Sequence, residues 1–425
     1  MNILIAGAGK VGYNIAKTLS SKHNVTIIDK NEKALEILKE SLDVLTIKGD
    51  MRSPKTYMGL EEEFDFYIAV TNNDEINLIS KLIAEEFLSI EKSIIRLTNT
   101  AYISTNFQKL NISRLIFPYK LSASSVAKLI QIPKANNIKE FFSDFALISL
   151  RVTDPLIKNV KEINSDKIVA IGVERGEKFI FLNDEDVIEN EDLLYVFGEK
   201  EALKTILNRL DTTPLEEVKN IAIFGANLLS IEIAKILKDM GLNIKIIEKD
   251  EKEALKAAEL LEDIEVINSS YEDEEVLLNE GIQYSHIAIA SSLKDESNII
   301  KSLQARNLGI KKIITINNNL NYYSLMHSLK LSTVRGPKIA AYYEIIEEID
   351  SQLLVYERFF LGAKGKIFIK HIYKEKEVSP PKEYNKTIVI RNSKIFELKE
   401  KTKLQQGDIV LEFNFSGNRK WIEAL

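Results

Sequence analysis

The sequence predicts an α/β protein of two Rossmann-like lobes, each a doubly wound parallel sheet followed by a small α+β module. Three observations carry this. Apolar strands alternate with segments whose apolar residues recur at helical spacing. The first strand runs into a glycine turn, "ILIAGAGKVG". The same order of strand, turn, helix, strand and acid returns about 220 residues later, the mark of a tandem duplication.

Along the chain, "NILIAG" suits a buried strand, "VGYNIAKTLSSK" an amphipathic helix and "NVTIIDK" a second strand. "KALEILKESL", "DVLTIKGD", "FDFYIAVT", "INLISKLIAEEFLS" and "KSIIRLTN" continue the alternation, which places helices on both faces of a parallel sheet. "SASSVAKLIQI", after "FPYK", is a connecting helix. "FALISLRV" and the stretch from Lys167 to Lys200 carry β-branched and aromatic runs broken by Gly and Asn/Asp turns, the pattern of a small α+β module. "VKNIAIFGANLLSIEIAKILKDMGLNIKIIEKD" then restarts the first pattern, and "GPKIAAYYEIIEEI" stands where the connecting helix stood. "KIFIKHIY", "KTIVIRNSKIFEL" and "DIVLEFNF" suggest a divergent copy of the small module. The expected boundaries are 1–135, 140–211, 218–350 and 351–425.

Composition narrows the functional classes. A chain of 425 residues, 45% hydrophobic and 28% charged, has the balance of a multidomain globular protein rather than a disordered one. Its net charge of −6 offers no general basic field, which disfavours nucleic acid as a partner. The absence of cysteine removes disulfides, thiolate metal sites and thiol catalysis. His23, His286, His327 and His371 lack ligand-like spacing, and His286, in the apolar run "SHIAIA", reads as structural. No apolar run of about 18 residues is present to span a membrane, and "MNILIAGAG" has no basic leader region. These features predict a cytoplasmic protein without a metal centre.

The glycine turn points to a nucleotide. Gly7 permits the tight turn, Gly9 lets backbone N–H groups approach a pyrophosphate, and Gly12 lets the helix pack on the strand. Ala8, Lys10 and Val11 complete the turn, whose helix aims its positive end at the phosphates. Asp29 ends the second strand, where a carboxylate accepts from ribose hydroxyls; Lys30 follows it. An acid there favours NAD or an adenine nucleotide over NADP. Asp50, Thr71, Asn72, Asn73 and Glu75 lie at or just beyond other strand ends, which line the crevice of such a sheet. Asp50 and Asp74 could instead cap helices. Arg96 could meet a phosphate or pair with an acid. The second copy keeps Gly225 and Glu248 but has Asn227 and Ser230 where the first has Gly9 and Gly12, and Ser269 and Ser270 where it has Gly49 and Asp50. Gly225, Asn227, Leu228 and Glu248 therefore form a weaker second candidate site.

A nicotinamide dehydrogenase needs groups that move a proton with the hydride, and no such set stands out. Tyr13 and Lys17 lie on the first helix, and Tyr384 to Thr387 lie in a turn-rich segment. This favours sensing over catalysis, with an oxidoreductase or a nucleotide-binding assembly protein as alternatives.

With the repeat, "GAGKVG", Asp29, "IKGD", "TNNDEINL" and "IIRLTNTAY" in place, the chain resembles, over nearly its full length, the TrkA family of regulatory subunits of Trk-type potassium uptake systems. The resemblance implies two RCK lobes, each with a small C-terminal module. It also implies binding of NAD(H), or of ATP or ADP, and self-association into a dimer or tetrameric ring. The ring would dock at the inner face of the membrane under a TrkH-like potassium-translocating subunit. "GANLLS" and the missing "GD" depart from the pattern in the second half.

Overall fold

The computed structural model of the chain describes residues 1–60, 63–105, 107–176, 178–214, 217–351, 353–381 and 385–425. The first lobe begins with β1 (Asn2–Ala6), α1 (Lys10–Leu19), β2 (Asn24–Asp29), α2 (Glu32–Ser41) and β3 (Leu45–Lys48). It continues through β4 (Glu63–Ala69), α3 (Asp74–Phe87), β5 (Ser89–Arg96), β6 (Arg114–Ile116) and α4 (Pro118–Gln131). The sheet runs in the order β3-β2-β1-β4-β5-β6 and its paired strands are parallel. The direction of winding reverses between β1 and β4, so the crevice lies outside Ala6 and Ala69. Leu4, Ala6, Tyr67, Ala69 and Ile95 pack one core of the lobe. The helices start where the sequence supplies caps: the side chain of Asn31 accepts from the Ala34 amide, and that of Asn73 from Ile76.

The small module that follows comprises β7 (Ala135–Phe141), β8 (Phe145–Arg151), β9 (Ile168–Arg175), β10 (Lys178–Phe181), β11 (Leu193–Glu199) and α5 (Lys200–Leu210). Its antiparallel sheet has the order β10-β9-β11-β8-β7.

The second lobe repeats the first. Its elements are β12 (Asn220–Phe224), α6 (Leu228–Asp239), β13 (Asn243–Glu248), α7 (Glu251–Leu260), β14 (Glu265–Asn268), α8 (Glu274–Asn279) and β15 (Ile287–Ala290). They continue with α9 (Asp295–Asn307), β16 (Lys312–Asn317), α10 (Tyr323–Ser328), β17 (Ser332–Arg335) and α11 (Pro337–Asp350). The order β14-β13-β12-β15-β16-β17 is the first sheet again. Registers match as well: Asn2 pairs with Asn24, and Asn220 with Asn243.

The last module contains β18 (Val355–Phe360), β19 (Gly365–His371), β20 (Lys376–Val378), β21 (Lys386–Arg391), β22 (Lys394–Glu397), β23 (Thr402–Leu404), β24 (Ile409–Asn414) and α12 (Lys420–Glu423). Its main sheet has the order β18-β19-β24-β21-β22. Phe141, Phe197, Ile367 and Phe413 belong to one core, so the two small modules close each other's apolar faces. The same polar lock recurs in both. Arg175 donates through Nε and Nη2 to the two oxygens of Asp192 at 2.8 and 2.7 Å, and Arg391 does so to Asp408 at 2.8 and 2.6 Å. Each carboxylate also accepts from a turn amide, Glu189 or Gln405.

The chain divides into two compact units, and the division falls inside both connecting helices. Met1–Ala123 group with Arg335–Ile346, and Ser124–Val334 with Glu347–Leu425. Within the first unit, the Tyr342 and Thr18 hydroxyls lie 2.7 Å apart and Arg114 pairs with Glu344 at 2.8 Å. The first lobe is thus completed by the connecting helix of the second repeat.

The Arg–Asp locks bury their carboxylates almost completely, at 2% and 1% exposure. Asp192→Ala or Asp408→Ala should therefore each lower the unfolding free energy by about 2 kcal/mol, because a turn amide and a part-buried guanidinium lose the carboxylate they share. In urea unfolding, Glu32→Ala, which breaks the exposed pair with Lys48, should cost less than about 1 kcal/mol.

Candidate nucleotide-binding site

The site begins at the turn between β1 and α1. Gly7 takes a φ of +117°, which side-chain-bearing residues rarely adopt, and its amide donates to the Ile28 carbonyl at 2.9 Å. A Cβ on Gly12 would lie 1.9 Å from the Gly7 carbonyl oxygen, so that glycine sets how closely α1 sits on its own turn. Gly9 differs: a Cβ there would meet nothing within 4 Å. Folding does not require glycine at that position, and its bareness leaves the space outside the helix start open. Gly9 is the N-cap of α1 and no side chain caps the helix, so its first N–H groups keep their capacity for an anion. Ala8, Val11 and Gly12 are buried beneath this opening, whereas Lys10 is exposed at its rim.

Asp29 is fixed beside the turn. One carboxylate oxygen accepts from the Ala8 amide at 2.7 Å and the other from Asn31 at 2.8 Å. A carboxylate offers about four acceptor positions, so two backbone bonds orient the group and leave it able to accept ribose hydroxyls. Lys30, next in sequence, is exposed.

The other strand ends divide between scaffold and surface. Asp50 takes Nε and Nη2 of Arg52 at 3.0 and 2.6 Å, and this pairing holds its carboxyl down at about 2. The sequence reading did not single out Arg52; its place two residues after an acid in "GDMR" was the available signal. Asp74 does not cap its own helix; Asn73 does that. The Asp74 carboxylate instead accepts from the amides of Thr98 and Asn99 at 2.7 and 2.8 Å, tying the end of β5 to the start of α3. Asn77, fully buried, accepts from the amide and hydroxyl of Thr71 and donates to the carbonyls of Thr71 and Arg96. "TNNDEIN" is therefore a clasp across three elements, while Asn72, Asn73 and Glu75 remain exposed.

Arg96, 4% exposed, makes no ion pair among the described residues. Its Nη1 donates to the Thr71 carbonyl and to Asn72 Oδ1, both at 3.0 Å, and its Nε has no partner among the described residues. Burial pushes this guanidinium below its ordinary value against the opposing influence of Tyr119 and Asp74. Of the two roles expected for Arg96, the pairing with an acid is not found.

In the second lobe the scaffold recurs and the opening does not. Gly225 has the same φ of +117°. Glu248 accepts from Ala226 at 2.9 Å and from Asp250 at 3.0 Å, as Asp29 does from Ala8 and Asn31. Asn298 and Asp295 reproduce the clasp with Ser292, the Ile316 carbonyl and the Asn318 amide. Asn227, however, is an N-cap with a side chain, and Leu228 is an exposed apolar residue where Lys10 stood. Elsewhere, His286 accepts from the Asn220 amide at 3.1 Å, a structural role. Tyr384 lies outside the described residues.

A TrkA-N domain matches twice, at residues 3–118 and 221–337. The chain belongs to the TrkA-N domain family. It is 28% identical over 366 residues to the protein named Trk system potassium uptake protein trkA homolog 1 of Methanosarcina mazei, covering 82% of this chain and 89% of that one. To Trk system potassium uptake protein TrkA homolog 2 of Methanosarcina mazei (strain ATCC BAA-159) it is 26% identical over 451 residues, covering all of both. Its fold is similar to that of the solved GsuK channel bound to NAD, with a TM-score of 0.63, 16% identity, and coverage of all of this chain and 79% of that one. Both TrkA-N matches end at the start of a connecting helix, Pro118 and Pro337.

The contrast between the two glycines is measurable. Gly12→Ala should lower the unfolding free energy by about 3 kcal/mol through overpacking, whereas Gly9→Ala should change it by less than about 1 kcal/mol, both read by urea unfolding.

Proposed function

We propose that this chain is a regulatory subunit of a potassium uptake system and that its first lobe binds a nucleotide. The observation that carries the reading is the start of α1: a helix N-terminus with no side-chain cap, opened by Gly9, with the oriented carboxylate of Asp29 beside it. Backbone amides there suit a pyrophosphate and Asp29 suits a ribose without a 2′-phosphate. The ligand is NAD(H), with ATP and ADP as the alternatives that share its adenosine and phosphate groups. Lys10 and Lys30 stand at the rim as cations for the phosphates. Asn72, Asn73 and Glu75 border the crevice, with Asp50 and Arg96 behind it. The names of the relatives and the NAD in the similar channel structure support this reading.

The chain acts in this reading by binding and not by turnover. It associates with copies of itself at the cytoplasmic face of a membrane and docks to a potassium-translocating subunit of the TrkH type. Among the described residues no helix is long and apolar enough to cross a membrane, so the path for the ion belongs to that partner. A nucleotide shifts the assembly only by binding one arrangement more tightly than another.

Calorimetric titration with NADH, NAD, ADP and ATP tests the reading. The expected result is saturable binding without consumption of NADH, weakened at least tenfold, about 1.4 kcal/mol, in a folded Asp29→Ala variant. Equal affinity in that variant would overturn the assignment of the site.

A further inference from the structure

The second lobe keeps the turn, the strand-end acid and the clasp, so its crevice would be expected to take the same ligand. Its own side chains already stand there. Asn227 occupies the position of Gly9, and its Oδ1 accepts from the amides of Leu229 and Ser230 at 2.9 and 3.4 Å. These amides correspond to those of Val11 and Gly12, the donors a pyrophosphate would use. The Asn227 Nδ2 donates to the Ser291 carbonyl at 2.6 Å, which pins the amide across the mouth of the turn.

A second group also differs between the lobes. Lys301 is 9% exposed, and its Nζ lies 3.6 Å from where a Cβ on Gly225 would be and 3.5 Å from the Phe224 carbonyl oxygen. The matching residue of the first lobe is Ser80, a short side chain bonded to its own helix. The ammonium therefore sits under the second turn, whereas the buried cation near the first turn is Arg96, on the Thr71 carbonyl. Ser230 adds a third difference. A Cβ at the matching Gly12 would strike the turn carbonyl at 1.9 Å, so α6 cannot sit on its turn as α1 does, and the Ser230 hydroxyl reaches the Ser291 carbonyl at 3.3 Å.

We propose that the second lobe is closed to nucleotide by Asn227 and Ser230, the side-chain amide standing in for the phosphate on the helix amides and the serine side chain keeping α6 from the close seat that Gly12 gives α1. Each chain then carries one nucleotide and one lobe permanently held in a capped form. The proposal borrows from the reading above only that the first lobe is the open one. It makes Asn227 the residue that sets how many nucleotides a chain takes.

Hydrogen–deuterium exchange of the full chain, with and without saturating NADH and in parallel with ADP, separates the possibilities. The expected result is slow exchange over residues 225–232 that neither nucleotide changes, with nucleotide-induced protection confined to residues 7–14. In Asn227→Gly the 225–232 segment should exchange at least tenfold faster, while 7–14 keeps its response. Nucleotide-induced protection over 225–232 in the wild-type chain, or unchanged exchange there in Asn227→Gly, would overturn the proposal. Absence of protection over 7–14, with 225–232 still slow and fast in the variant, would sink the reading of the first lobe and support the capped second one.

Discussion

The structure depends on the close seating of one helix on one turn. Gly12 lets α1 approach the Gly7 carbonyl within a distance that no side chain permits, and the left-handed backbone at Gly7 turns the chain so that the helix begins at the edge of the crevice. Seated there without a cap, α1 presents N–H groups whose bonding remains to be satisfied from outside. Asp29 takes its orientation from the same turn, through the Ala8 amide. The uncapped helix start and the oriented carboxylate thus share a single backbone unit.

Around this unit the duplicated scaffold is also held by polar clasps. Asn77 with Asp74, and Asn298 with Asp295, tie strand ends to helix starts by the same bonds in both lobes. A buried amide that makes all of its bonds is costly to lose and specific in what it joins. The lobes can therefore diverge at the turn while retaining the sheet. Divergence occurs at Asn227, Ser230 and Lys301: the second copy caps α6 with its own side chain, and the first leaves the start of α1 uncapped. Arg335–Ile346, from the second repeat, completes the first lobe.

Much of the fold was legible because the local signals agree. Alternating apolar runs, the two glycine turns and a constant repeat offset lead to two sheets with one strand order, and the structure has both. The strands β7 and β18 were harder to read: "ANNIKEF" is largely polar, and "VYERFF" follows a helical pattern through "SQLL", which has neither Gly nor Pro to mark a boundary. The regrouping of the connecting helices could not be read at all, because the apolar face of α11 does not say which lobe it will cover. At the site, Gly7, Gly12 and Asp29 were legible from spacing. The cap reading open for Asp74 is not found, and its actual partners, Thr98 and Asn99, are 24 and 25 residues away in sequence. Lys301 was missed for a similar reason: in sequence it is one more lysine on a helix, and only the sheet brings it beneath Gly225.

The measurement that tests the central claim most directly is a structure of the full chain determined with NADH bound. The account places the pyrophosphate against the amides between Gly9 and Gly12, with a ribose on Asp29 and the Asn227 cap intact. Nucleotide seated at Gly225 with the Asn227 side chain turned aside, or bound away from both turns, would contradict it.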